Sequence, residues 1–335
     1  MDPSPVVDEV LAAARRHAAA GAWSEVRKLL SSTSDGLTSP EVALLRAESE
    51  LRTGRPREAR DWLGKAIPAI ERVGDRGALR KALNQLGVAE IELGALDDAE
   101  RTFGRAVELA RVDRDDLVVA HATNNMGAIA NIRGRRDEAL TLYQLAIPAY
   151  QRMGHTIGLA QTLHNMAISY RQLGHLARAD EYEQRAIGYA TEAANAPLLA
   201  LARLERAELS LESGDAALAE VGAQRASREF AALPDAIREA DALRVVGAAR
   251  LALTKYVGAE EVLARALSLA HEHGSALVEA ETLRVRAAVA MARGESADAR
   301  AYIDVAIGTF ERLGAAAQRD EALAWSLRVL APRHT

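Results

Sequence analysis

Carboxamides are the side chains whose spacing in this sequence points to chemistry. Of its six Asn, five (Asn84, Asn124, Asn125, Asn131 and Asn165) fall in three segments set forty residues apart. Asn is a mediocre helix former because its side chain competes for backbone hydrogen bonds, so this concentration inside apolar-periodic segments runs against propensity. A carboxamide offers both donor and acceptor, and a row of them can hold an extended peptide by its backbone whatever that peptide's side chains are. The same Asn and His residues could instead bond neighbouring helices or water. Each good bond nets about 0.5–1.5 kcal/mol, so a handful supports micromolar-range affinity once association has been offset. Val88, Ile91, Ile132 and Ile168 lie close by in sequence and are candidate apolar anchors.

Catalytic patterns are sparse. The sequence holds no GxxxxGK[ST] phosphate loop, no HExxH and no GxSxG elbow. His271, Glu272 and His273 are consecutive, and consecutive side chains on a helix diverge, so no metal site is expected there. His121 and His164 lie on neighbouring segments with no carboxylate at a fixed offset to complete a ligand set. With no Cys there is no disulfide, no Cys-ligated metal and no thiol nucleophile. No metal and no cofactor are expected, and the chain reads as a non-enzyme.

Positioning elements follow from composition and period. The 335 residues are 49% hydrophobic but only 4% aromatic, with 9 Pro and Ala throughout, a balance that suits close-packed helices. A net charge of -5 argues against a polybasic surface for nucleic acid or anionic lipid. No apolar run approaches a membrane span, and residues 1–10 hold three acidic residues and two Pro in place of a signal peptide's basic start. A cytoplasmic location is expected.

A shift of forty residues superposes the chain on itself from about residue 38 onward. One column reads Ala59, Ala99, Ala139, Ala179, Ala219, Ala259 and Ala299; a second reads Ala66, Ala106, Ala146, Ala186, Ala226, Ala266 and Ala306. A third admits only small residues: Ala47, Gly87, Gly127, Ala167, Ala207, Gly247 and Ala287. A fourth is Gly54, Gly94, Gly134, Gly174, Gly214 and Gly294, broken by Thr254. Each period therefore reads helix, glycine turn, helix, with a left-handed residue at the turn and small residues where paired helices approach. Such a repeat buries its apolar face only by stacking on its neighbours. Pro68 and Pro148 occupy one position inside the second helix, where each removes a ladder bond and bends the helix.

This pattern resembles the tetratricopeptide repeat, read most fully in Asn125, Met126, Gly127, Gly134, Ala139, Tyr143 and Ala146. The forty-residue form, with openings such as Gly74-Asp75-Arg76 and Leu83-Asn84-Gln85-Leu86-Gly87, is similar to the repeats of kinesin light chain, of Leu-Gly-Asn-repeat adaptors and of bacterial Rap-type regulators. The resemblance implies an all-α, right-handed superhelical solenoid of antiparallel helix pairs with a C-terminal capping helix. Its expected divisions are a divergent repeat over 1–37, seven tandem repeats over 38–313, and a cap with tail over 314–335, in one continuous domain. Ser4-Pro5 and Ser39-Pro40 mark helix starts, and Ser31 to Thr38 a turn. The cap carries Trp325, with Gln318, Arg319, Glu321 and Arg328 for solvent.

Members of these families bind peptides or protein partners. By analogy, the first helix of each pair lines the inner face, which puts Lys81, Asn84, His121, Asn124, Asn131, Gln161, His164 and Arg171 on a peptide-binding groove with Asn125 and Asn165 beside them. Arg244 and Arg284, with Leu251 and Met291, could form a second, apolar groove for an amphipathic helix, or could pack against adjacent helices. The family's carboxylate clamp is absent, since the pairs at its positions are Asn84 with Val88, Asn124 with Ala128 and His164 with Ile168. The expected function is an interaction scaffold holding a protein or peptide partner. The alternative is a Rap-like, ligand-responsive regulator with its output on a separate chain, because residues 1–37 are too few for an output domain.

Overall fold

A computed structural model describes residues 5–31 and 39–330. The Ser4 cap, the Ser31 to Thr38 turn beyond Ser31 and the tail after Leu330 lie outside the described residues. Among the described residues there are 17 α-helices and no strand. Contacts divide the chain into two compact units, Met1–Ser169 and Tyr170–Thr335.

The first unit contains α1 (Pro5–Ala19), α2 (Trp23–Ser31), α3 (Pro40–Arg52), α4 (Pro56–Val73), α5 (Arg76–Glu92), α6 (Leu96–Val112), α7 (Asp116–Ile132), α8 (Arg136–Arg152) and most of α9 (Thr156–Gln172). The second unit takes the end of α9 and continues through α10 (Leu176–Glu192), α11 (Ala196–Glu212), α12 (Ala216–Ala232), α13 (Ala236–Ala252), α14 (Tyr256–Glu272), α15 (Ala276–Ala292), α16 (Ser296–Leu313) and α17 (Ala316–Leu330). Within each unit, consecutive helices pack in pairs and each pair packs on the next. Odd-numbered helices from α3 to α15 are the first helix of a pair, called helix A here, and even-numbered ones are helix B.

Turn chemistry sets the helix ends. Gly54, Gly94, Gly134, Gly174, Gly214 and Gly294 all have positive φ between the two helices of a pair, and Thr254 adopts φ 58° at the same place. A second forty-residue column caps the helix-A N-termini. Asp75, Asp115, Asn195, Asp215 and Asp235 each accept a backbone N–H three residues on, Asp215 doing so for a helix B. His155 does the same through Nδ1, 3.0 Å from the Gly158 nitrogen.

Packing follows the small-residue columns. All fourteen Ala of the first two columns are essentially without solvent exposure. Where the third column is Gly, a large helix-B side chain fills the space: Phe103 over Gly87, Tyr143 over Gly127 and Leu263 over Gly247. α4 and α8 continue past Pro68 and Pro148 without ending. The last helix, α17, packs on α16 through Ala322 and Trp325.

Candidate peptide-binding surface

Helices α5, α7 and α9 carry the carboxamide row, and the structure ties its members together across helices. Asn125 Nδ2 donates to Asn84 Oδ1 at 3.3 Å. Thr162 Oγ1 donates to Asn124 Oδ1 at 3.0 Å, and Ser169 Oγ donates to Asn131 Oδ1 at 3.0 Å. These partners are 38 to 41 residues apart in sequence, one repeat up or down. A carboxamide has two donor hydrogens and two acceptor lone pairs, so one such bond uses a quarter of its capacity.

Depth varies along the row. Lys81 and Gln161 are exposed, whereas Asn84, His121, Asn125, Asn131, Asn165 and Arg171 are half-buried. Asn124 is 4% exposed and His164 8%, so these two lie beneath the surface that the others line. Of the apolar residues nearby, Val88 and Ile91 pack against the core formed by Phe103, Ala122 and Ile129. Ile132 stays 59% exposed and Ile168 half-buried.

His121 belongs to a cluster that sequence inspection did not assemble. The Tyr150 hydroxyl lies 3.0 Å from His121 Nδ1, and the His121 ring packs edge-on against both Tyr150 and His155. Burial, followed by the neighbouring His155, pulls the His121 pKa down to about 4, with Asp115 opposing. The imidazole is therefore neutral near pH 7. The signal available in sequence was the cap column, which places His155 where Asp75, Asp115 and Asn195 stand.

In the second unit the helix-A row is ionic. Arg171 contacts Glu205 at 2.5 Å, Glu208 at 3.0 Å and Glu212 at 2.6 Å. Arg244 in turn contacts Glu208 at 2.6 Å and Asp241 at 2.7 Å, while Arg284 holds Glu281 at 3.0 Å. Burial would lower the Arg244 pKa, but Asp241, Glu208 and Glu281 raise it above the ordinary arginine value. Burial would likewise raise that of Glu208, and Arg244 and Arg171 bring it below the usual carboxylate range. Ala248 and Leu251 pack partly buried against Leu263, Val285 and Val289, and Met291 against the Ile303 and Phe310 core.

No group of three or more residues able to hold a metal ion occurs among the described residues. Within them, too, no helix is long and apolar enough to cross a membrane.

A family model for the tetratricopeptide repeat matches residues 39–111 and 118–192. These segments are tetratricopeptide repeats. No curated protein matches the sequence. Among solved structures, a Rap protein complexed with competence and sporulation factor superposes with TM-score 0.66 at 14% identity, covering 98% of each chain. The Rap conjugation gene regulator of plasmid pLS20, in complex with the Phr* peptide, gives TM-score 0.69 at 13% identity over 94% of this chain and 97% of that one. The apo quorum sensor NprR from B. thuringiensis gives 0.66 at 16% identity, over 90% and 86%. Identities this low establish a shared fold alone, a succession of paired α-helices on either side of the matched repeats.

Proposed function

We propose that the protein is a non-catalytic interaction module that holds a peptide segment of a partner protein along the helix-A row of α5, α7 and α9. The observation that carries this reading is the run of carboxamides on successive tetratricopeptide helices, with Asn84 and Asn125 already hydrogen-bonded to each other and retaining capacity for a backbone ligand. Ile132, the most exposed apolar residue near the row, would supply an anchor. The reading involves no cofactor, nucleic acid or membrane, and places the protein in the cytoplasm. A capture experiment with the triple variant Gln161→Ala, Asn125→Ala, Asn165→Ala tests it. These side chains are exposed or half-buried, so folding should be retained to within roughly 0.5 kcal/mol per exposed site, and loss of the partner seen with wild type is the expected result. Undiminished capture would move the binding surface elsewhere.

A second reading, a ligand-responsive regulator with a separate output partner, is favoured by the near-full-length fold likeness to a Rap protein and to NprR. Small-angle scattering with and without the captured peptide separates the two. A switch compacts on binding, whereas a rigid scaffold keeps its radius of gyration.

A further inference from the structure

The start of α9 is capped differently from its neighbours. Asp75, Asp115, Asn195 and Asp235 hold this position in other repeats and accept through a side-chain oxygen, whereas His155 accepts from the Gly158 N–H through a ring nitrogen, Nδ1, at 3.0 Å. The exchange is matched three residues on. Ala78, Val118, Leu198, Arg238 and Val278 stand where this repeat has Gly158. A Cβ at Gly158 would lie 2.7 Å from His155 Nδ1 and 2.6 Å from the Tyr150 ring, so the imidazole reaches the backbone only because that residue is glycine. His155 and Gly158 therefore act as one feature of this repeat.

An imidazole accepts at Nδ1 only while that nitrogen is unprotonated; an imidazolium donates from both nitrogens and accepts at neither. Carboxylate and carboxamide caps keep their acceptor oxygen throughout the range in which histidines charge, about pH 5–8. Protonation of His155 would take the acceptor from the Gly158 N–H and put a positive charge at a helix N-terminus, where the helix dipole opposes it. The surrounding groups supply no counter-charge. His121 on α7 packs edge-on against the ring with centroids 5.0 Å apart, and Tyr150 on α8 stacks on it at 5.4 Å as a neutral phenol whose burial pushes its pKa up. Asp115, the carboxylate nearest in this cluster to His121, already accepts from the Val118 N–H and from Arg80 Nε and Nη2 at 3.0–3.2 Å. Arg152 and Asp116, on the flanking turns, pair with each other at 2.9 Å. His155 is half-buried, so water reaches it.

We propose that His155 is a proton-sensitive cap: the first turn of α9 is closed while the imidazole is neutral and opens when it takes up a proton. α9 also bears Gln161 and Asn165, so opening would loosen that end of the carboxamide row. This consequence rests on the reading above; the opening itself does not.

Hydrogen exchange of the full chain tests the proposal, followed by mass spectrometry over peptides spanning residues 154–161 and corrected for the intrinsic pH dependence of exchange. Between about pH 7.5 and about pH 5.5 wild type should lose roughly two- to thirtyfold of its protection there, the factor that corresponds to losing one N-cap. His155→Asp and His155→Asn, which restore the caps of the other repeats, should hold that protection constant. His121→Gln should keep the wild-type dependence, which separates the cap from the neighbouring ring. The start of α7, capped by Asp115, should show no such loss in any of these proteins. Protection of wild type that is independent of pH, or an equal loss in His155→Asp, would overturn the proposal. Partner capture at the two pH values then reports on the row: it should weaken at the lower pH for wild type and not for His155→Asp. Opening without any change in capture would leave the cap standing and remove the start of α9 from the binding surface.

Discussion

The Tyr143 ring sits where a Gly127 side chain would be: its Cε1 is 2.5 Å from the point a Cβ would occupy. Tyr143 is itself fully buried and cannot swing out of the way. Gly127→Ala should therefore overpack the pair by about 1–3 kcal/mol, exceeding the ~1 kcal/mol gained in helix propensity. Gly188→Ala, at a helix-B position with nothing within 4 Å, keeps only the gain and should stabilise by about 0.5–1 kcal/mol. Urea unfolding midpoints of the two variants should move in opposite directions.

Thr254 is the position where the glycine turn column is broken, and it nevertheless takes the left-handed conformation, φ 58°. A β-branched residue there costs on the order of 1–2 kcal/mol relative to glycine. Thr254→Gly should raise stability by about 1 kcal/mol, a modest rise in the thermal midpoint by calorimetry, with no change in helix content.

Acid should weaken the His121 cluster. Its folded-state pKa is lowered to about 4 from an ordinary 6.5, so the unfolded chain takes up the proton more readily. The contribution is fully present above pH 6.5 and is lost as the pH falls from about 6.5 to about 4, to a total on the order of 3 kcal/mol. His155, Asp115 and Tyr150 are the groups that face it. Denaturation midpoints measured across that window should fall steeply for wild type and less steeply for His121→Gln.

Arg244 joins α13 to α11 through Glu208 and holds Asp241 on its own helix. Its side chain is 13% exposed and that of Glu208 20%, so removing it leaves Glu208 held by Arg171 alone. Arg244→Met should cost up to about 3 kcal/mol, the lower end of the range for breaking a buried pair from one side, because Arg171 keeps its contact with Glu208. The companion variant Arg244→Met/Glu208→Leu should recover part of that loss, because the half-paired charge is gone. A double-mutant cycle on chemical denaturation reads both values.

Much of this molecule was legible in the sequence, and for a local reason. The repeat is written in residues a few positions apart: Ala at 59 and 66, Gly at the turn, an Asx at the helix start. Each encodes a backbone conformation or a close approach within one helix pair, and repetition every forty residues makes the pattern visible without knowledge of distant contacts. That determined the all-α fold and the bounds of its helix pairs. The fate of individual side chains was decided by tertiary structure, because their partners lie in other repeats. Asn124 reads as a groove residue in sequence, yet it is buried and accepts a hydrogen bond from the Thr162 hydroxyl, 38 positions away. Arg244 reads as the edge of an apolar groove and is instead enclosed among Glu208, Asp241 and Glu281. A helix can be inferred from its own residues, but whether a polar side chain on it faces water or a neighbour depends on what the adjacent helix presents at that height.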